Sequence, residues 1–600
     1  MMYEPLDAMV NRVPPAEPPF EPAHGGLLAA PPASSAERLW SALDRNPVWT
    51  LTSLVVLYLA IACGQGATKL LWSDELITLA IARQGSLAAI WRALAAGADP
   101  NPPLTHWLTL QSICAFGEGA LVVRLPAILC VLLAIVSLWA ILRRWVSPGY
   151  AAAGVLTFMA TRGFDYAYDA RSYAPLMGFS MASLAFWLAS CDDADSDAAL
   201  SRAWPRLGAL AAMVAAIALG LSSNYYGVLA LFPIALGEAF RAVRRFPGVN
   251  PAAGRVRFAA GVRSFQPGVW LALPVAALPL LAFLPLIRHN IAEFAPHAWN
   301  RPRAGMIVAS YLELVEGIFW PVFALALYAA WKLWRDFAIP ATTSCAPSFQ
   351  HSLPKAGVPP EHPRDAAHQS PLQPHEAAAL AVLILYPILG FSVALGGGGM
   401  ISPRCVVPVC CGFGIAAALL ARRVFAASPR AGVLLLTGLL VWVVARESAC
   451  AFVLARQRTA FLTLRDQVAL QPSTQPIVVA DSLFVLPLAH YSSDEVRARI
   501  IFPIDFDDIH AREPDDSGEQ NLWAGRNGLF PIRVVAYDRS LFAGRDLILI
   551  ARPTGWLSQR LVSDGFRLSQ PAPNLDWQRL GGVFTPLAHE DTRLQMITDH

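Results

Sequence analysis

Residues 103–117 read PLTHWLTLQSICAFG, and the reading of this stretch decides how the rest of the chain is threaded. It is apolar, yet it carries His106 and Gln111. A helix of about fifteen residues rises about 22 Å, short of the roughly 30 Å of a bilayer core. The stretch therefore reads as an interfacial helix along the membrane surface, with Trp107 at headgroup level.

On either side lie stretches read as membrane spans. They run 48–66, 121–142, 150–164, 172–190, 206–222, 225–241, 269–288, 305–331, 377–395, 403–421 and 431–450, about eleven spans in all. Composition agrees. Of 600 residues 55% are hydrophobic and 15% charged, against about 25% charged in a soluble domain. The net charge is +3, with basic residues at span ends rather than on one face, which argues against a nucleic-acid partner.

With the N-terminus inside, Arg143-Arg144, Arg241 with Arg244 and Arg245, Lys332 with Arg335, and Arg422-Arg423 all fall on the cytoplasmic side. A spanning 103–117 would put every cluster outside. The expected fold is a polytopic α-helical membrane protein with a C-terminal soluble α/β domain. Residues 1–47, rich in Pro and Ala and lacking a signal-peptide pattern, read as a disordered cytoplasmic tail. Residues 48–450 form the transmembrane domain, with an outer loop at about 67–120 and a cytoplasmic linker at about 336–376. Residues 451–600 form the extracytoplasmic domain. There, 476–481, 498–502, 532–537 and 546–551 read as short buried strands, and 553–565 as a helix ending at Gly565. The nine cysteines include no CxxC pair and none after Cys450, so they read as small buried apolar residues.

Chemistry is expected in the outer loops. Asp74 and Glu75 follow the first span closely, and carboxylates near hydrocarbon are costly unless solvated or paired. One carboxylate in a partly dry cleft would serve as a general base. The pair would equally well cap a helix starting at Leu76. Asp99-Pro-Asn-Pro-Pro reads as a stiff turn. Asp169 and Arg171 are too close in sequence to face each other on a helix, so they are available to other loops or a ligand. Arg171 and Arg404 are outward cations suited to phosphate, or else interfacial anchors.

The order of these features resembles a known family. It runs Asp74-Glu75 after the first span, Pro102-Pro103-Leu104, Phe116-Gly117, Arg124-Leu125-Pro126, Asp169-Ala-Arg-Ser-Tyr173, and later Pro403-Arg404-Cys405. It is similar to the GT-C glycosyltransferases of the protein O-mannosyltransferase and aminoarabinose transferase type, most clearly over about 50–245. The resemblance implies an inverting transfer on the outer face of a cell membrane, in a multi-pass protein of the bacterial inner membrane. The donor would be a polyprenyl-phosphate-linked sugar, and the acceptor a hydroxyl or phosphate on a lipid, protein or polysaccharide. It implies Asp74, with Glu75 beside it, and Asp169 as catalytic acids and bases. It implies Arg171, Tyr173, Arg404, Asn101, Asn224 and Tyr225 for the donor phosphate or substrate. Asn101 stands where relatives often have His or Lys, and Cys405 where they usually have Tyr. Some relatives hold a divalent cation at this loop; no ligand cluster marks one here, and no metal residue is assigned. Two other classes remain open: a transporter or flippase of lipid-linked saccharides, and a non-catalytic membrane scaffold.

Overall fold

The computed structural model describes residues 34–192, 203–244, 267–338, 371–569 and 593–598, apart from 297, 299, 398, 426, 427, 473, 514 and 544–546. Residues 1–33 of the expected tail, most of the linker 336–376, and Arg245 lie outside the described residues.

Helix α1 (Ser35–Arg45) corrects the expectation of disorder for the described end of 1–47. Ser34 and Glu37 exchange side-chain bonds to each other's amides at its start. Its Trp40 is buried against Tyr150, ring centres 4.8 Å apart. Next come α2 (Pro47–Thr68) and, in the loop expected outside and called the outer loop below, α3 (Ser73–Ala82), α4 (Leu87–Ala95) and α5 (Leu104–Phe116). The bundle continues through α6 (Ala120–Leu142), α7 (Pro148–Met159), α8 (Tyr173–Asp192), α9 (Ala203–Ser223), α10 (Leu231–Arg244), α11 (Pro267–Ala277) and α12 (Pro279–Glu293). It closes with α13 (Gly305–Val315), α14 (Phe319–Ala338), α15 (Pro374–Ile384), α16 (Tyr386–Gly397), α17 (Val409–Phe425) and α18 (Pro429–Ala469).

Among the described residues, eight helical stretches are long and apolar enough to cross a membrane. The pair α15 and α16, bent by 62°, makes a ninth if taken as one span. Eleven is therefore too many by this measure. The spans expected at 150–164 and 403–421 correspond to α7, with 12 residues, and α17, with 17. All 12 residues of α7 are buried, so its apolar run is protein core rather than lipid-facing surface. The two helices approach closely through Gly154 and Gly414. A Cβ on Gly154 would lie 2.8 Å from the Gly414 carbonyl oxygen, and one on Gly414 2.6 Å from that of Gly154. Helix α5 has 13 residues and is not among the spans.

The span-end arginines gather at one end of the bundle. Arg144 and Trp145 both bond Glu376, at 3.1 and 3.0 Å, and Arg422 bonds the Trp145 carbonyl. The neighbouring His375 ring meets Trp187, which shares Glu238 with Arg241. Tyr173 begins α8 at the opposite end, where the outer-loop helices lie.

Helix α18 has 41 residues, so it is about 60 Å long, twice a bilayer core. It runs unbroken through the domain boundary expected at 450–451. Its far end carries Phe461, Leu464 and Val468 into a second hydrophobic core. That core belongs to an α/β unit: β1 (Ile477–Val479), α19 (Ser482–Tyr491), α20 (Asp494–Ala498), β2 (Ile500–Ile504), α21 (Phe506–Arg512), α22 (Ser517–Ala524), β3 (Arg533–Ala536), β4 (Leu547–Ala551), α23 (Trp556–Ser563), β5 (Arg567–Ser569) and β6 (Arg593–Thr598). The sheet order is β3-β2-β1-β4-β6-β5. Strands β1 to β4 pair in parallel, and β6 runs antiparallel to β4 and β5. The same core takes in Leu71, Trp72, Leu76 and Ile81 of the outer loop. The loop and the α/β unit therefore share one interior, and helix α3 is fixed by both.

Candidate active site

Helix α3 begins at Ser73, so Asp74 and Glu75 fall in its first turn, where the helix dipole favours a carboxylate. From there they diverge. Glu75 points inward, reaching back to the Trp72 amide at 3.3 Å and accepting the Ala170 amide at 2.8 Å. Arg124 grips it with Nε at 2.7 Å and Nη2 at 2.5 Å, and both side chains have no exposure. Arg124 also donates to the carbonyls of Gly66, Lys69 and Leu70. The capping reading thus fits Glu75, whose full burial leaves no surface for substrate. Arg124→Ala would leave that carboxylate buried and unpaired, a change that costs about 3–5 kcal/mol. We expect the variant to melt well below the parent in a detergent thermal-shift assay, and an unchanged melt would refute the assignment.

Asp74 turns the other way, and 26% of its side chain stays open. Arg171 stands beside it, Nε 3.6 Å from the carboxylate. The same guanidinium donates through Nη1 to Asp99 at 2.5 Å, to Thr78 at 3.2 Å and to the Asp74 carbonyl at 3.1 Å. Asp99 closes the stiff turn by accepting the Asn101 amide and side-chain NH2, at 2.8 and 2.6 Å. Asn101 in turn accepts from Ser172 at 2.8 Å, and Ser172 from Asn224 at 2.9 Å. One hydrogen-bonded line thus joins three loops.

Two cavities flank this line. The first, about 250 Å³, is walled by Asn101, Arg171, Tyr173, Asn224, Tyr225 and Asn290 among others. The buried Tyr225 hydroxyl has no hydrogen-bond partner among the described residues. The second, about 750 Å³, presents Lys69, Arg162, Arg404 and Arg446 with Asp165 and Asp169. Its other wall is the apolar flank of α18, including Trp442, Val453 and Leu454. Asp169 accepts from Trp72 Nε1 at 2.8 Å and lies 3.7 Å from Lys69. The Arg404 guanidinium lies 5.7 Å from the centre of the Trp72 ring. Asp74 contacts Arg171, which lines the first cavity, and feels the charge of Arg404, which lines the second.

The carboxylates differ in proton affinity. Burial raises that of Asp74, and Arg171 and Arg404 offset this only in part. Burial also acts on Asp99 and Asp169 but is outweighed. Arg171, with His106 and the Asn101 bonds, holds Asp99 below the ordinary value. Lys69, with the Trp72 bond, does the same for Asp169. Of the three carboxylates, only Asp74 has its proton affinity raised. A resident metal does not fit: the Arg171 guanidinium fills the space between Asp74 and Asp99 that a cation would need. Among the described residues no group of three His, Cys, Asp or Glu is placed to hold one.

All nine expected residues lie near this centre, although Glu75 is turned away from the cavities. Sequence reasoning missed Asp99, Lys69, Trp72, Arg162 and Arg446 as site residues. Arg446-Glu447 inside an apolar helix was a legible signal, because charges within a span are expensive. Arg446 bonds both oxygens of Asp165, at 2.7 and 2.8 Å.

Residues 100–245 match the family model of dolichyl-phosphate-mannose-protein mannosyltransferase. Over that segment, about a quarter of the chain, the sequence is similar to this mannosyltransferase family. The matched segment holds Asn101, Asp169, Arg171, Tyr173, Asn224 and Tyr225, while Asp74 and Glu75 precede it and Arg404 follows. No curated protein sequence matches. Among solved structures, the chain is similar to apo ArnT from Cupriavidus metallidurans, at 15% identity and TM-score 0.48, over 91% of this chain and 98% of that one. It is similar to the same protein bound to undecaprenyl phosphate at 14% identity and TM-score 0.46, over 91% and 97%. The Archaeoglobus fulgidus oligosaccharyltransferase tethered with an acceptor peptide follows at 12% identity and TM-score 0.34, over 72% and 62%.

Proposed function

We propose that the transferase moves a sugar from a polyprenyl phosphate held in the larger cavity to an acceptor hydroxyl or phosphate presented from the smaller one, with inversion. The observation that carries this reading is Asp74, the carboxylate of raised proton affinity, beside Arg171 of the smaller cavity and within the field of Arg404 of a cation-rich cavity with an apolar wall. A lipid phosphate needs that first combination: cations for the phosphate and an apolar flank for the chain.

The steps follow from the positions. Asp74 takes the proton of the acceptor hydroxyl as its oxygen bonds the anomeric carbon. The bond from that carbon to the phosphate oxygen breaks, and its electron pair leaves on the polyprenyl phosphate. Lys69 and Arg404 stabilise the departing charge. Attack from the acceptor cavity meets the carbon opposite the leaving group, hence inversion. Asp169 and Glu75 are positioning residues in this scheme. Asp169 holds Trp72 and Lys69, and Glu75 with Arg124 fixes the start of α3. Asn101, Tyr173, Asn224 and Tyr225 line the acceptor side. The site lies at the bundle end away from Arg144, Arg241 and Arg422, and the positive-inside tendency supports an extracytoplasmic site on this reading.

The test is transfer by the purified protein from a polyprenyl-phosphate sugar of known anomeric configuration, with the product anomer read by NMR. Inverted product supports the reading, and retained configuration refutes direct displacement. Movement of intact lipid-linked sugar across vesicles, with no covalent product, would favour the transporter instead.

A further inference from the structure

A third cavity, about 420 Å³, lies outside the site described above, between the α/β unit and the end of α12. His289 and Glu293 of α12 face His510, Asp516, Gln520 and Arg526 across it, with Trp523 in the wall. We propose that this cavity is a saccharide subsite that binds the body of the acceptor, an inference that rests on the transferase reading.

Four observations carry it. The first is adjacency to the acceptor cavity. Gly97 lines the third cavity and Pro100 the first, while α12 contributes His289 to one and Asn290 to the other. The Asn290 side chain donates to the Pro100 carbonyl at 2.9 Å, so the partition is one turn of loop and one turn of helix. The second is the closeness of that junction. Gly97 has φ +90°, and a Cβ there would lie 3.1 Å from His289 Nε2 and 3.7 Å from Ala524. The α/β unit therefore meets the outer loop at the partition.

The third is the donor and acceptor set. Asp516, nearly fully buried, is bound by His510 at 2.6 Å and by Gln520 at 2.8 and 2.7 Å. The Gln520 side-chain oxygen is buried with no hydrogen-bond partner among the described residues, so it has acceptor capacity to spare. The fourth is the aromatic wall. Trp523 is held edge-on to Phe506, ring centres 6.1 Å apart, and Arg526 lies 4.4 Å over its ring. An indole beside closely spaced amide, imidazole and carboxylate groups suits a sugar, which presents apolar C–H faces and a rim of hydroxyls. A lipid tail would leave the buried Gln520 oxygen unpaired.

The probes are chitotetraose and tetragalacturonate, one neutral and one acidic, added to the full-length protein in nanodiscs. Binding is read by saturation-transfer NMR, which needs no turnover. We expect saturable binding of at least one probe, with Trp523→Ala and Gln520→Ala each weakening it about tenfold. Asp74→Asn should leave this binding intact. No saturable binding of either probe, or binding unchanged in both variants, overturns the subsite. Saccharide binding that depends on Trp523 in a protein with no transfer activity would refute the proposed reaction and leave the subsite standing.

Discussion

Asp74→Asn is expected to lower sugar transfer by about 10²–10⁴-fold, the usual contribution of a positioned general base. Asn keeps the size of the side chain and removes its ability to take a proton. The variant should fold, because Asp74 is partly open and its ionic partner Arg171 keeps the shorter bond to Asp99. The pH profile gives a second readout. The base must be ionised to act, and its affinity for the proton is raised above the ordinary aspartate value of 3.8. Activity should therefore fall as pH drops through a point above that value, and the residual activity of Asp74→Asn should lack this limb. Full transfer by the variant, or an unchanged acid limb, would remove Asp74 from the role.

Arg404→Ala should cost about 10²–10³-fold in kcat, the loss seen when one stabiliser of a departing anion is removed. Arg404 enters the larger cavity from a short 3₁₀ turn, Pro403–Val406, and lies over the Trp72 ring. Trp72 is held by Asp169, so one chain of contacts runs from the anion to the cation. Burial disfavours the charge on Arg404, and the nearby Tyr173, Tyr166, Asp74 and Asp169 more than restore it. Arg404→Lys should recover part of the rate, since charge is kept while the planar fork is lost. Steady-state kinetics with a short-chain polyprenyl-phosphate sugar would measure both. An unchanged kcat in the alanine variant would place the leaving phosphate elsewhere.

The sequence alone carried the helical membrane character, through long apolar runs with few charges. It also carried four of the sheet strands, because short β-branched runs between turn residues have few other ways to fold. It placed Asp74, Asp169, Arg171 and Arg404 together only by the order of motifs, since 330 residues of chain separate the first from the last. The span count was less legible. Residues 148–159 are as apolar as a span, but hydropathy does not distinguish a helix buried in protein from one facing lipid.

The stretch at 103–117 holds a 13-residue helix that is not among the spans, and its length was enough to say so. Its neighbours needed the tertiary structure. Asp74 and Glu75 are adjacent and chemically alike, and no local pattern tells which is the base. The fold separates them by packing Arg124, from a helix 49 positions away, against Glu75 and leaving Asp74 to Arg171 and the cleft. Residue types and their order are properties of the chain. Proton affinity depends on burial and on charges brought close through space, and only the folded molecule sets those.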